Sequence, residues 1–130
     1  MTSVVSSKNP TVYIVDDDEA VRDAIRWLMK SVRIPAVAFP SADDFLEKFD
    51  PDLAGCILLD QHMPGMSGLE LLELLRSRNV KTPVIMISGR RDPLLDDLVK
   101  RAGALAILSK PTGDDELLAL VHEAFGSQPG

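Results

Sequence analysis

Cysteine is almost absent from this chain. A single one, Cys56, among 130 residues excludes an internal disulfide and suits a reducing cytoplasm. Long hydrophobic runs are missing as well, and no stretch approaches the length that spans a bilayer. The leading segment MTSVVSSKN carries one lysine and no apolar core, so it is not a secretory signal. Positive charge is in short supply. There are 14 basic residues against 20 acidic ones, the net charge is −6, and no basic cluster exceeds Arg90-Arg91 or Lys100-Arg101. That balance argues against direct binding of nucleic-acid phosphates by this chain. His62 and His122 have no cysteine or further histidine at ligand spacing, which excludes a zinc pair. Internal repeats and low-complexity segments are lacking too.

What is present is an ordinary globular composition, 45% hydrophobic and 26% charged, in one domain's length. Residues 1–10 are expected to be a flexible N-terminus, 11–126 the folded domain, and 127–130 a tail or the start of a linker. Short runs rich in branched residues occur at 11–15, 36–39, 55–59, 83–87 and 104–108. Stretches of helical spacing follow each of them. Val21, Ala24, Ile25, Leu28, Met29 and Val32 give a first amphipathic helix. Ala42, Phe45, Leu46 and Phe49 give a second, with Ser41 and Asp44 at capping-box spacing. Leu69 to Leu75, Leu94 to Ala102 and Leu117 to Phe125 give the rest. Pro93 stands where a first helical turn tolerates proline, and Gly103 and Gly126 stand where left-handed residues end helices. Alternation of this kind predicts a (βα)5 fold: a doubly wound parallel five-stranded sheet covered on both faces. The common strand order is 2-1-3-4-5, with ligands bound beyond the carboxyl ends of strands one and three.

The run TVYIVDDDE ends strand-like apolar residues in four consecutive carboxylates. The third run, GCILLD, ends in Asp60, so the expected topology gathers Asp16, Asp17 and Asp60 in one crevice. Three such charges raise one another's pKa unless a cation intervenes. Oxygen-only ligands with open positions suit Mg²⁺. The fourth and fifth runs lead to Ser88 and Lys110. Three carboxylates and one ammonium leave about −2, which one divalent ion neutralises. A phosphoryl group on Asp60 would meet the metal, a hydroxyl and an ammonium, and phosphoryl transfer needs mainly such positioning. Taken singly, these residues have plainer roles: a helix N-terminus for Asp16 and Asp17, a turn for Ser88, a solvated side chain for Lys110. Asp18 is expected to cap the first helix, and Cys56 to pack as a small hydrophobe.

The segments VDDD (15–18), LLDQHMPGMSGLELL (58–72), IMISG (85–89) and LSKP (108–111) resemble the receiver domains of two-component response regulators. The resemblance runs from about Val12 to Phe125. The steps from Asp17 to Asp60 (43 residues), Asp60 to Ser88 (28) and Asp60 to Lys110 (50) match the family's spacing. The stretch SADDFLEKFDPDLAGCILLDQHMPGMSG is particularly similar to FixJ-type regulators, which carry a helix-turn-helix output domain. The resemblance implies a CheY-like fold and a set of roles. Asp60 would be the phosphoacceptor, phosphorylated by a sensor histidine kinase. Asp16, Asp17, Asp60 and the main-chain carbonyl of His62 would hold Mg²⁺. Ser88 and Gly89 would form the switch and phosphate contacts with Lys110 and Pro111, the Lys110–Pro111 bond being cis. A homodimer would form through the fourth helix, fifth strand and fifth helix. A cytoplasmic location follows.

Some positions depart from the family's habit. Ile107 stands where an aromatic switch residue is usual, and Thr112 where FixJ-type members carry phenylalanine. His62 and Arg90 occupy the two positions that tune dephosphorylation. These departures keep open a pseudo-receiver that binds protein without phosphorylation. A metal-dependent phosphatase forming an aspartyl phosphate is a further alternative, although His62 stands where such enzymes place a second acid. A flavodoxin-like cofactor binder is disfavoured, since no Gly-rich or Ser/Thr-rich phosphate loop follows the first strand.

Overall fold

Branched and apolar residues in short continuous runs favour strands buried on both faces, and amphipathic stretches between them supply the cover. The computed structural model describes residues 10–52 and 54–126. Apart from Pro10, the expected flexible ends lie outside the described residues. The elements alternate without exception: β1 (Thr11–Val15), α1 (Glu19–Ser31), β2 (Ala36–Phe39), α2 (Ala42–Lys48), β3 (Gly55–Asp60), α3 (Gly68–Ser77), β4 (Val84–Ser88), α4 (Pro93–Arg101), β5 (Ala106–Ser109) and α5 (Asp114–Gly126). All strand pairs are parallel, in the order β2-β1-β3-β4-β5. This is the predicted (βα)5 sheet with its predicted order.

The period-2 alternation of strands divides the interior in two. Val12, Ile14, Cys56, Leu58, Ile85 and Ile87 face Ile25 and Met29 of α1 and Leu117, Val121 and Ala124 of α5. Tyr13, Val15, Ile57, Leu59, Val84 and Met86 face the other side, against α2, α3 and α4. Phe45 is fully buried there, edge-on to Tyr13 and Phe39 at centroid distances of 6.4 and 5.3 Å. Every residue of β3 is buried.

Chain chemistry explains where the elements begin and end. Asp18 caps α1 as expected, accepting from the Ala20 N–H at 2.9 Å. Ser41 accepts from the Asp44 N–H at the start of α2. A reciprocal capping box stands instead at α3, between Ser67 and Glu70, a pair the apolar pattern does not mark. Three helices end in a 6→1 and 5→2 pair of hydrogen bonds with a left-handed residue after the cap. After α4 that residue is the expected Gly103, at φ 103°. After α1 and α3 it is Arg33 (φ 61°) and Asn79 (φ 62°).

Some expected boundaries shift. Gly126 belongs to α5 and does not end it in the left-handed region. The fourth and fifth strands lie later than the apolar runs at 83–87 and 104–108, because their last pairing joins the polar Ser88 and Ser109. α5 begins at Asp114, ahead of its first apolar residue, with Asp115 and Glu116 also at the positive end of the helix. At the amino end of the sheet, Arg76 of α3 donates to the carbonyls of Val80 (2.8 Å), Thr82 (3.1 Å) and Gly103 (3.1 Å).

Candidate functional site

β1 and β3 are adjacent, and both run toward the same edge, so the residues that follow Val15 and Leu59 meet there. Asp16, Asp17 and Asp60 each offer one carboxylate oxygen, and these oxygens all lie within 4.8 Å of one another. Asp16 and Asp60 are buried, while Asp17 is exposed. Two main-chain donors orient the buried pair. The Asp18 N–H donates to Asp16 Oδ1 at 2.9 Å, and the His62 N–H to Asp60 Oδ1 at 3.3 Å.

Lys110, at the end of β5, reaches into this cluster. Its Nζ lies 3.0 Å from Asp16 Oδ2 and 3.3 Å from Asp60 Oδ1. Burial opposes the ammonium charge, but the neighbouring carboxylates of Asp16 and Asp60 outweigh it and raise the lysine pKa. Burial first, and then the charge of Asp16, push the Asp60 carboxyl up to about 6, against the pull of Lys110 and the His62 N–H. Lys110 pairs with two of the three acids, and one ammonium against three carboxylates leaves the cluster negative. The donor set is entirely oxygen, and buried Asp16 Oδ2 meets Lys110 as an ion pair without an aligned hydrogen bond. Both facts fit a small hard divalent cation.

Ser88, at the end of β4, is buried beside this cluster, and its hydroxyl is already engaged. It donates to the Arg90 carbonyl at 2.7 Å and accepts from the Arg90 N–H at 3.2 Å. The exposed His62 ring places Nε2 3.3 Å from Ser88 Oγ and 3.5 Å from the Arg90 carbonyl. Gly89 is exposed, and the Lys110–Pro111 bond is cis. Ile107 is half-buried against the α3–α4 side of the core. Leu94 and Leu98 of α4 are exposed, 78% and 50%, on the face foreseen for dimerisation. Trp27 projects into solvent and His122 is exposed on α5.

Two supporting residues escape the sequence patterns. Arg22 Nη1 donates to the main-chain carbonyl of Asp16 at 2.8 Å. Gln61, buried next to Asp60, accepts from the Leu69 N–H at 2.8 Å and so ties the loop after β3 to the start of α3. Gly68 lies against the same loop: a Cβ there would stand 2.6 Å from the Asp60 carbonyl oxygen. An apolar groove of about 530 Å³ between α1 and α5, lined by Ala24, Leu28, Leu117 and Pro111 among others, opens beside Lys110.

Comparison with known proteins gives one consistent picture. The family model described as "Response regulator receiver domain" matches residues 12–122. The transcriptional regulatory protein TdiR of Thauera aromatica is 35% identical over 125 residues, which cover 96% of this chain and 55% of that protein. The transcriptional regulatory protein FixJ of Azorhizobium caulinodans is 37% identical over 115 residues, 88% of this chain and 54% of that protein. The chain thus spans about half the length of the curated relatives it matches. Among solved structures, that of FixJ-N superimposes with a TM-score of 0.85 at 32% identity, covering 93% of this chain and 97% of that one. The response regulator StyR gives 0.86 at 36%, covering 91% and 60%.

Proposed function

The chain belongs to the response regulator receiver family, and from that membership we propose that it is phosphorylated on Asp60 by the phosphohistidine of a sensor histidine kinase. The observation that carries this reading is the meeting of three carboxylates within 4.8 Å with one lysine between two of them. An Asp60 oxygen attacks phosphorus, a P–O bond forms, and the P–N bond to the kinase imidazole breaks. The imidazole leaves with the electron pair and is reprotonated. With a pKa of about 6, Asp60 is mostly ionised at neutral pH and available as the nucleophile. Lys110 holds it and neutralises charge as the phosphoryl group arrives.

Mg²⁺ would be held by Asp16, Asp17, Asp60 and the His62 main-chain carbonyl, and when bound it supplies charge compensation to the phosphoryl oxygens. Ser88, with Gly89 and the Lys110–Pro111 turn, is the candidate for contact with the new phosphate. The apolar groove between α1 and α5, next to Lys110, offers a seat for the kinase element that carries the histidine. His62 and Arg90 flank the path of attacking water and set the lifetime of the acyl phosphate. The protein's catalysis is confined to its own phosphotransfer and dephosphorylation.

For output, phosphorylation shifts an existing equilibrium in the loop after Ser88, α4 and β5. The exposed Leu94 and Leu98 support dimerisation through the α4–β5–α5 face. The named transcriptional relatives support a place within, or beside, a DNA-binding transcriptional regulator in the cytoplasm.

Intact mass after incubation with Mg²⁺ and acetyl phosphate tests the reading. One phosphoryl group is expected on the wild type, none on Asp60→Asn, and none with EDTA present. Absence of any adduct would leave a pseudo-receiver working by protein contact alone. Turnover of a phosphomonoester would instead favour the phosphatase.

A further inference from the structure

Ser88 brings a single hydroxyl hydrogen, and the short contact to the Arg90 carbonyl takes it. The same hydroxyl accepts from the Arg90 N–H. His62 Nε2 therefore faces two oxygens, Ser88 Oγ and the Arg90 carbonyl, neither of which has a hydrogen left to give. By elimination, Nε2 carries the hydrogen and donates it into this pair. The result is a closed ring of hydrogen bonds joining the loop after β3 to the loop after β4. The Ser88 hydrogen is committed to a main-chain carbonyl of its own loop and not to Asp60.

His62 is also the residue whose N–H holds Asp60 Oδ1 at 3.3 Å. One residue thus touches the nucleophile through its main chain and the nearby hydroxyl through its side chain. We propose that the His62 imidazole is a latch. It is a positioning residue that holds Ser88 turned toward Arg90 and so opposes the rotation that would bring the hydroxyl to a phosphoryl group on Asp60.

This inference rests on Asp60 being the phosphoacceptor. The opposition is local and does not depend on bulk packing, since His62 is exposed and its removal opens no core cavity. Before phosphorylation, the hydroxyl is fully satisfied in the ring. After it, the phosphoryl oxygens compete for the same hydrogen. The hydroxyl must give up three contacts when His62 is present, two with Arg90 and one with Nε2, and only the two with Arg90 when it is not. A neutral hydrogen bond of ordinary net strength changes such an equilibrium roughly 2- to 12-fold.

The test is a fluorine NMR titration with beryllofluoride and Mg²⁺, in wild type, His62→Ala, Ser88→Ala and the double variant. His62→Ala is expected to bind beryllofluoride roughly 2- to 12-fold more tightly than wild type. In the Ser88→Ala background the same substitution should change nothing, because the hydroxyl it restrains is gone. Equal or weaker binding by His62→Ala would overturn the latch. So would an equal gain in both backgrounds, which would make His62 a steric gate independent of the hydroxyl. A wild type that takes neither beryllofluoride nor phosphate from acetyl phosphate would fail at the earlier step, removing Asp60 as phosphoacceptor and the latch with it.

Discussion

Asp60 is held as a carboxylate in a place that disfavours its charge, and the cost can be measured by removing the charge. The group's ordinary pKa of 3.8 is raised to about 6 by burial and by Asp16. The folded protein therefore binds this proton more tightly than the unfolded chain. Below about pH 4 both states hold it, and it contributes no difference in stability. As pH rises from there to about 6 the unfolded chain loses the proton first, so folding stability falls across that window and then levels off. At about 1.36 kcal/mol per unit, the full penalty at neutral pH is about 3 kcal/mol. Asp60→Asn keeps the shape and a carbonyl acceptor but abolishes the ionisation. In EDTA at pH 7 it should be more stable than wild type by up to about 3 kcal/mol, a figure from which the pull of Lys110 is already subtracted. Urea unfolding at a series of pH values between 4 and 8 is the assay. The gap between the two proteins should close toward pH 4 and stay flat above 6. Added Mg²⁺ should stabilise the wild type more than the variant. An Asp60→Asn protein no more stable than wild type at pH 7, or a gap that widens toward acid, would refute the electrostatic account of the site.

Lys110→Ala leaves Asp16 and Asp60 buried without their cation and should destabilise the protein at pH 7 by a few kcal/mol, the loss shrinking as acid protonates Asp60; unfolding at pH 7 and 5 checks it. Gly68→Ala drives a Cβ to 2.6 Å from the Asp60 carbonyl and 2.9 Å from Gln61 Cα, both main-chain atoms that do not yield easily. It should lose about 1–3 kcal/mol and slow labelling by acetyl phosphate, seen in melts and intact mass. Arg33→Gly relieves a left-handed backbone at φ 61° and should gain up to about 1 kcal/mol, raising the melting temperature a few degrees.

Most of this architecture is legible in the residues because its strands are buried on both faces. GCILLD can hardly be anything but a central strand, and its last residue had to face the crevice at a switch point. Asp16, Asp17, Asp60 and Lys110 could be grouped for the same reason: each ends a strand-like run. The hydroxyl of Ser88 is legible beside them, but not its direction, because the turn of one hydrogen toward the Arg90 carbonyl is set by loop geometry. Arg22 and Gln61 stayed hidden, since a guanidinium or amide that bonds a main-chain atom leaves no periodic trace. The left-handed Arg33 and Asn79 escaped too. Glycine advertises such positions, whereas arginine and asparagine occupy them only because neighbouring hydrogen bonds close around them.

The three carbonyls gathered by Arg76 give the molecule a fixed end. They belong to the residues after α3 and to the turn after α4, on the side of the sheet opposite the carboxylates. α4 is therefore fastened where it finishes, while its beginning at Pro93 follows the loop that carries Ser88 and Arg90 and is held through one exposed side chain of that loop, Arg91, which bridges Asp96 and Ser109. A displacement started at that loop should reach α4 as a tilt, with Leu94 sweeping farther than Leu98. Hydrogen exchange would read it as protection lost near 90–95 and kept near 103–105. Such a tilt would make α4 a pointer on a pivot, turning a small change at one end of the sheet into a larger change in where an exposed leucine is presented.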